Sequence, residues 1–145
     1  MLHGLLGDRK SLIQGTSMTR EIITTKNAPA AIGTYSQAVR IDGIIYISGQ
    51  IPLDPNTMDI VSTEIREQII RVFDNLSAIA KAAGTTLDNV AKLNVYLTNL
   101  DHFPLINEVM AEYFQQPYPA RAAIGVSQLP KNALIEMDAI IHLKD

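Results

Sequence analysis

The stretch from Ala133 to Leu143 reads ALIEMDAIIHL, and its alternation decides how the chain folds. Successive side chains of a strand point to opposite faces, so every second residue shares a face. One face is wholly apolar and consists of Ala133, Ile135, Met137, Ala139 and Ile141. The other face is mixed and consists of Leu134, Glu136, Asp138, Ile140 and His142. We predict a strand whose apolar face packs under helices and whose mixed face is a subunit interface.

An amphipathic helix is predicted upstream of this strand. Its buried stripe repeats at spacings of three and four and consists of Ile65, Ile69, Val72, Leu76, Ile79 and Ala83. Ser62 or Thr63 is the expected N-cap, and Gly84 is the expected C-terminal stop. A second helix is expected from Asp101, as its cap, to Phe114, with Pro104 in the first turn.

The other apolar runs predict strands. Asp42-Gly43 separates two of them and is a hairpin turn sequence. The predicted strands are Glu21–Thr25, Gln37–Ile41, Ile44–Gly49, Val90–Thr98, Arg121–Gln128 and Ala133–Leu143. The order β-ββ-α-β-α-ββ indicates an α+β single domain over residues 18–145, with a mixed six-stranded sheet and two helices on one face.

The amino-acid composition of the chain argues against several classes of function. The chain has 145 residues, of which 47% are hydrophobic and 19% charged, and this suffices for one packed core. Its longest strictly apolar run, Ile44–Ile47, is far shorter than a membrane span, so no membrane association is expected. The net charge is −3 and no Lys/Arg cluster occurs, so nucleic acid is not an expected partner.

The chain has no cysteine, which excludes disulfides and thiolate nucleophiles and indicates a reducing, cytoplasmic location. His3, His102 and His142 lack metal-ligand spacing, so no metal site is predicted. Residues 1–17 show neither helical nor strand periodicity. We interpret them as a flexible extension or a mis-assigned start, with an organellar presequence as the alternative.

Arg121 and Glu136 are the residues best suited to chemistry. If the last two strands pair, both lie near one end of that hairpin. An arginine there can hold a carboxylate through two parallel hydrogen bonds, and a partly buried glutamate can activate water. The alternative is an ion pair that only ties the two strands together, which is common in proteins.

Several motifs, in order, resemble the reactive intermediate deaminase (Rid) family and its RidA branch. Ile47-Ser48-Gly49-Gln50-Ile51-Pro52 and Pro119-Ala120-Arg121 are two of them. The others are residues 27–38, Ala82-Ala83-Gly84, Asn107, Val126, Leu129-Pro130, Ala133 and Ile135-Glu136. The resemblance covers nearly all of residues 18–145.

This resemblance implies a chorismate-mutase-like fold assembled as a homotrimer, with sites in the clefts between subunits. It also implies hydrolysis, without a cofactor, of reactive 2-imino acids such as 2-iminobutanoate and 2-iminopropanoate. By position, Arg121 would bind the substrate carboxylate and Glu136 would activate the attacking water. Tyr35, Ser48, Gly49 and Asn107 would line the cleft.

Each lining residue also has a purely structural interpretation. Tyr35 could be a packing residue of a loop, Ser48 an ordinary strand residue, and Asn107 an exposed polar group of a helix. Ala123 stands where RidA relatives often carry cysteine, which bears on substrate preference rather than on the basic reaction. A trimer that binds small carboxylates without turnover is the alternative function. A translation inhibitor or ribonuclease fits the acidic composition less well.

Overall fold

The structure is a computed structural model that describes residues 19–143, so the predicted extension of residues 1–17 lies outside the described part. The strands are β1 (Glu21–Ile23), β2 (Ala38–Ile41), β3 (Ile44–Gln50), β4 (Val90–Leu97), β5 (Ala120–Gly125) and β6 (Ile135–His142). The helices are α1 (Ile65–Ala82) and α2 (Phe103–Tyr113), and short 3-10 turns cover Leu87–Asn89, Leu100–His102 and Pro130–Asn132. The predicted element order is confirmed, although most strands are shorter than the apolar runs that predicted them.

The six strands form one sheet in the order β1-β2-β3-β6-β4-β5. All neighbouring pairs are antiparallel except β4 and β5, which are parallel. A parallel pair needs a crossover connection, and α2 supplies it. The predicted α+β class, with a mixed six-stranded sheet and two helices, is confirmed.

The suggested pairing of the last two strands is wrong. β6 pairs with β3 and β4, whereas β5 lies beyond β4 at the sheet edge. The link between β5 and β6 contains the 3-10 turn Pro130–Asn132, and the Leu134 N–H after it donates to the side chain of Gln68 on α1. This connection is too long for a tight hairpin, and it carries the chain past β4 to the centre of the sheet.

The core lies between the helices and one face of the sheet. The alternating face predicted for the last strand is buried, with Ile135, Met137 and Ile141 fully inaccessible. The stripe of α1 packs on it through Ile69, Val72, Leu76 and Ile79, none of which is exposed. No helix within residues 19–143 is long and apolar enough to cross a membrane.

The helix caps differ from those predicted. The N-cap of α1 is Glu64, because the Ser62 hydroxyl accepts the Glu64 N–H at 3.0 Å and closes a turn just before the helix. Asp101 lies inside a 3-10 turn whose N-cap is Asn99, so α2 begins only at Phe103. The expected stop holds: Gly84 follows α1 with φ +83°, a conformation that favours glycine.

Two irregularities of the β2–β3–β6 region shape the surface near the predicted site. The β2–β3 hairpin turns at Asp42-Gly43 as expected, but only Asp42 takes a positive φ, of 53°. The register of β3 against β6 shifts between Ile47 and Gln50, which places Ser48 and Gly49 in a bulge. The bulge lies opposite Asp138 of β6, and Gly49 in it approaches the side chain of Glu136 diagonally.

Candidate active site

Arg121 lies on β5 and points toward α2. Its parallel partner is Leu93, a buried residue of the core face, so Arg121 projects on the helix side of the sheet. There its Nη1 donates to Oδ1 of Asn107 at 2.6 Å, and its guanidinium carbon stands 4.9 Å from the centre of the Phe103 ring. The amide and the ring hold the guanidinium in one orientation.

The guanidinium faces a cavity of about 400 Å³. The cavity is lined by Asn107, Met110, Ala111, Tyr118, Pro119 and Arg121. No carboxylate among residues 19–143 forms an ion pair with Arg121. Since a guanidinium carries five N–H donors and few are used here, this half of the candidate site can accept an anion.

Glu136 lies on β6 and projects from the opposite face of the sheet. Its two neighbours along the strand, Ile135 and Met137, are fully buried in the core, whereas Glu136 is half-buried. Burial, with a smaller contribution from the charge of Asp138, raises the pKa of the Glu136 carboxyl. No group of the described chain donates a hydrogen bond to this carboxyl, so it is free to bond to a water or a ligand.

The bulge of β3 packs directly against Glu136. A Cβ on Gly49 would lie 2.5 Å from Oε2 of Glu136, closer than real Cβ contacts. The Ser48 hydroxyl donates to the carbonyl of Ser36 at 2.5 Å, which leaves its oxygen able to accept. Gly49 therefore lies beside the Glu136 carboxyl, and Ser48 precedes it in the same bulge.

The loop that carries Tyr35 is fixed to the same region by Gln37. This buried side chain accepts the Thr25 N–H at 2.7 Å and donates to the carbonyl of Pro29 at 2.8 Å. Tyr35 itself is 52% exposed and lines a cavity of about 560 Å³ beside Ser36 and Gln37. The ring is therefore available to a ligand or another chain.

The predicted site residues form two groups, which we call the arginine half-site and the glutamate half-site. The arginine half-site contains Arg121 and Asn107, with Ala123 two residues along β5 on the same face. The glutamate half-site contains Glu136 and Gly49, with Ser48 in the same bulge. Tyr35 lies in the neighbouring loop, in which the Ser36 carbonyl accepts from Ser48. Strand β4 separates Arg121 from Glu136, and their side chains leave opposite faces of the sheet. Neither the hairpin placement nor the tying ion pair considered for them is found.

Three polar residues beside Glu136 were not predicted as site residues. Asp138 accepts from Nδ2 of Asn94 at 2.8 Å and from the hydroxyl of Tyr96 at 3.1 Å. The alternation along β6 places Asp138 on its mixed face, and the alternation along β4 places Asn94 and Tyr96 together on one face of that strand. Only the β4–β6 pairing brings those faces together, and the sequence did not predict that pairing.

Metal-ligating side chains do not cluster in the described region. Within residues 19–143, no three His, Cys, Asp or Glu side chains come together in a group that could hold a metal ion. The polar groups available to the candidate site are those of the two half-sites.

Comparison with known proteins identifies a matching family model and several similar proteins. The family model described as endoribonuclease L-PSP matches residues 25–143. A RutC family protein of Pyrococcus abyssi is 49% identical over 125 residues, covering 86% of this chain and 98% of that protein. The human protein named 2-iminobutanoate/2-iminopropanoate deaminase is 44% identical over 125 residues, covering 86% of this chain and 91% of that protein.

A solved structure agrees in fold as well as in sequence. The crystal structure of RidA from the Antarctic bacterium Psychrobacter sp. matches with a TM-score of 0.82 and 46% identity. The match covers 85% of this chain and 99% of that chain. The family model that matches residues 25–143 and these relatives show that the chain belongs to the reactive intermediate deaminase (Rid) family, whose sequence model is described as endoribonuclease L-PSP.

Proposed function

We propose that this protein hydrolyses reactive 2-imino acids, such as 2-iminobutanoate and 2-iminopropanoate, to 2-keto acids and ammonia. The observation that carries the proposal is a pair of groups with free hydrogen-bonding capacity: within residues 19–143, Arg121 has no carboxylate partner and the half-buried Glu136 carboxyl has no hydrogen-bond donor. Arg121 would hold the carboxylate of the substrate, and Glu136 would act as the base that takes a proton from water. The name of the human relative supports the substrate class.

Arg121 would bind the substrate carboxylate. A guanidinium can grip both carboxylate oxygens at once, and this fixes the orientation of the acid as well as its position. Asn107 and Phe103 preset the direction of the guanidinium, so little freedom is lost when the substrate binds. The 400 Å³ cavity leaves room for a short aliphatic side chain.

Glu136 would carry out the proton transfers. It accepts a proton from water as the water oxygen bonds to C2 of the imine, and the C=N bond becomes a C–N single bond. The protonated Glu136 then returns a proton to the nitrogen. The hydroxyl on C2 then gives its proton, through Glu136, to the same nitrogen. The C–N bond breaks as the hydroxyl oxygen becomes the carbonyl of the keto acid, and the nitrogen leaves as ammonia. No change of oxidation state occurs.

We further propose that two copies of the chain complete each site, in the homotrimer that the family resemblance implies. One chain keeps Arg121 and Glu136 on opposite faces of its sheet, so the arginine half-site of one copy must face the glutamate half-site of the next. Tyr35, Ser48, Gly49 and Asn107 would then line one cleft. Ala123 would contribute an apolar surface to it.

Carboxylate binding without turnover is the second candidate function. It needs the arginine half-site alone, whereas hydrolysis also needs Glu136. The description of the family model suggests RNA cleavage as a third, but a net charge of −3 and a sequence without a Lys/Arg cluster fit a phosphate backbone less well.

A coupled assay tests the proposal. A threonine dehydratase generates 2-iminobutanoate, semicarbazide traps the free imine, and the protein competes with the trap. We expect the wild type to reduce semicarbazone formation and the Arg121→Ala and Glu136→Gln variants to lose this effect. A wild type that leaves trapping of several imino acids unchanged would overturn the proposal, and carboxylate binding measured by calorimetry would then favour the second candidate.

A further inference from the structure

Asp138 is the best-anchored carboxylate on the mixed face of the sheet. Its Oδ1 accepts from the side-chain amide of Asn94 at 2.8 Å, and its Oδ2 accepts from the hydroxyl of Tyr96 at 3.1 Å. Asn94 is also its partner across β4 and β6. Each carboxylate oxygen thus has its own donor, which is the arrangement an ionised carboxylate takes.

This anchored group is the neighbour of Glu136 on the same face. The two residues are two apart on β6, so their Cα atoms are about 7 Å from each other. Tyr96 pairs directly with Glu136 in the register of β4 and β6, and its hydroxyl reaches diagonally to Asp138. Glu136 is therefore bordered by Tyr96 on β4, by Asp138 on its own strand and by Gly49 on β3.

We propose that Asp138, held by Asn94 and Tyr96, is a positioning residue that directs the Glu136 carboxyl toward Gly49 and keeps it ready to exchange a proton. This inference deepens the proposed function and rests on it. The physical cause is repulsion between like charges: a fixed anion on one side drives the mobile carboxylate to the other side. The missing Cβ of Gly49 leaves the space that receives it.

The electrostatics of Glu136 agree with this placement. Burial raises the pKa of Glu136 first, and the charge of Asp138 raises it further. Burial and the same two carboxylates also raise the pKa of Tyr96, so its hydroxyl stays a donor to Asp138. The ionisable groups on this face are Asp138 and His142 from β6, Lys92 and Tyr96 from β4, and Tyr46 from β3.

A raised pKa suits the double role proposed for Glu136. A glutamate of ordinary acidity is a weak base toward water, whereas a glutamate whose pKa is raised toward the working pH can both accept a proton and return it. A neighbouring anion makes it a stronger base without adding a group to the cleft. Asp138 would thus affect turnover rather than the binding of substrate to Arg121.

The test is a comparison of Asp138→Asn with Asp138→Glu in the assembled protein. Asparagine has the shape of aspartate and removes the charge, whereas glutamate keeps the charge. The titration of the Glu136 side chain is followed by carbon NMR with labelled glutamate, assigned through Glu136→Gln. We expect the Glu136 titration of Asp138→Asn to move to lower pH and that of Asp138→Glu to stay near the wild type. We also expect kcat of Asp138→Asn to fall about tenfold with little change in KM.

Asp59→Asn is the matched control, because Asp59 is exposed on a loop and also loses one charge. Tyr96→Phe, which removes one anchor, should reduce kcat less than Asp138→Asn does. An unchanged Glu136 titration in Asp138→Asn, or an equal shift in Asp59→Asn, would overturn the inference. Failure of the proposed function would look different: the wild type would not hydrolyse imines, although the NMR titration would still report on Asp138.

Discussion

Arg121 and Glu136 project from opposite faces of one sheet, with strand β4 between the strands that carry them. The arginine points to α2 and a cavity, and the glutamate points to the face away from the helices. A substrate held by Arg121 therefore cannot meet Glu136 of the same chain. The proposed chemistry therefore requires a second copy, and this requirement follows from the strand order together with the faces from which the two side chains project.

Arg121→Lys should weaken substrate binding although it keeps the positive charge. Lysine lacks the planar pair of donors and cannot keep the same contacts to Asn107 and Phe103. We expect kcat/KM to fall about 10- to 100-fold, corresponding to the loss of a charged hydrogen bond, mainly through KM. The exposed Arg20→Lys is the control and should match the wild type. An unchanged KM in Arg121→Lys would refute the assigned role.

The pH profile should report the raised pKa of Glu136. Glu136 must be ionised to accept a proton from water, so activity falls as pH drops through its pKa. Because burial and Asp138 raise that pKa, the acid limb of kcat should lie above the usual glutamate range. Glu136→Gln should lower kcat about 100-fold and lack this limb. The surface variant Glu67→Gln should keep the wild-type kcat and the acid limb. If Glu136→Gln showed the same acid limb as the wild type, the limb would have to come from another group.

Gly49→Ala should impair catalysis without unfolding the protein. The added Cβ would lie 2.5 Å from Oε2 and 3.0 Å from Cδ of Glu136, so the flexible carboxyl must move. A displacement of this size can lower kcat by on the order of 10- to 100-fold. Gly43→Ala, whose Cβ would meet nothing closer than 3.9 Å, is the matched control. Full activity in Gly49→Ala with a normal melting curve would show that the position of the carboxyl is unimportant.

Gln37→Ala should destabilise the fold and loosen the Tyr35 loop. The side chain is 3% exposed and bonds to backbone groups of Thr25, Ala28 and Pro29. Leaving those buried groups unpaired should lower the free energy of unfolding by about 3 kcal/mol. Urea denaturation measures this, with the exposed Gln128→Ala as control. If the free energy of unfolding fell less in Gln37→Ala than in Gln128→Ala, water would be replacing the lost hydrogen bonds.

Local patterns predicted most of the fold. The stripe of α1, the alternation of β6 and the turn at Asp42-Gly43 depend on residues close in sequence, and all three are confirmed. The pairing of β6 with β3 and β4 joins distant segments. Nothing in the local pattern distinguishes that pairing from a β5–β6 hairpin, so this prediction was wrong.

The residues of the candidate site could be named from the sequence, but their separation onto two faces of the sheet could not be predicted. The chemistry of the residues singled out Arg121 and Glu136, and the resemblance assigned their roles, which stay predictions. Their placement on opposite faces depends on β4 lying between β5 and β6, which is a long-range property. Asp138 was missed for the same reason, because Asn94 and Tyr96 reach it only across that pairing.

Mixing Arg121→Ala and Glu136→Gln subunits tests the central claim most directly. Each variant alone should be inactive, because every cleft lacks one of the two groups. In the proposed trimer, once co-assembled, Arg121 of the Glu136→Gln chain would meet Glu136 of the Arg121→Ala chain. Equal mixing should therefore restore about one quarter of the wild-type sites. Activity recovered to that level, with each variant alone inactive, is the predicted result. A mixture as inactive as its components would contradict a site shared between two copies.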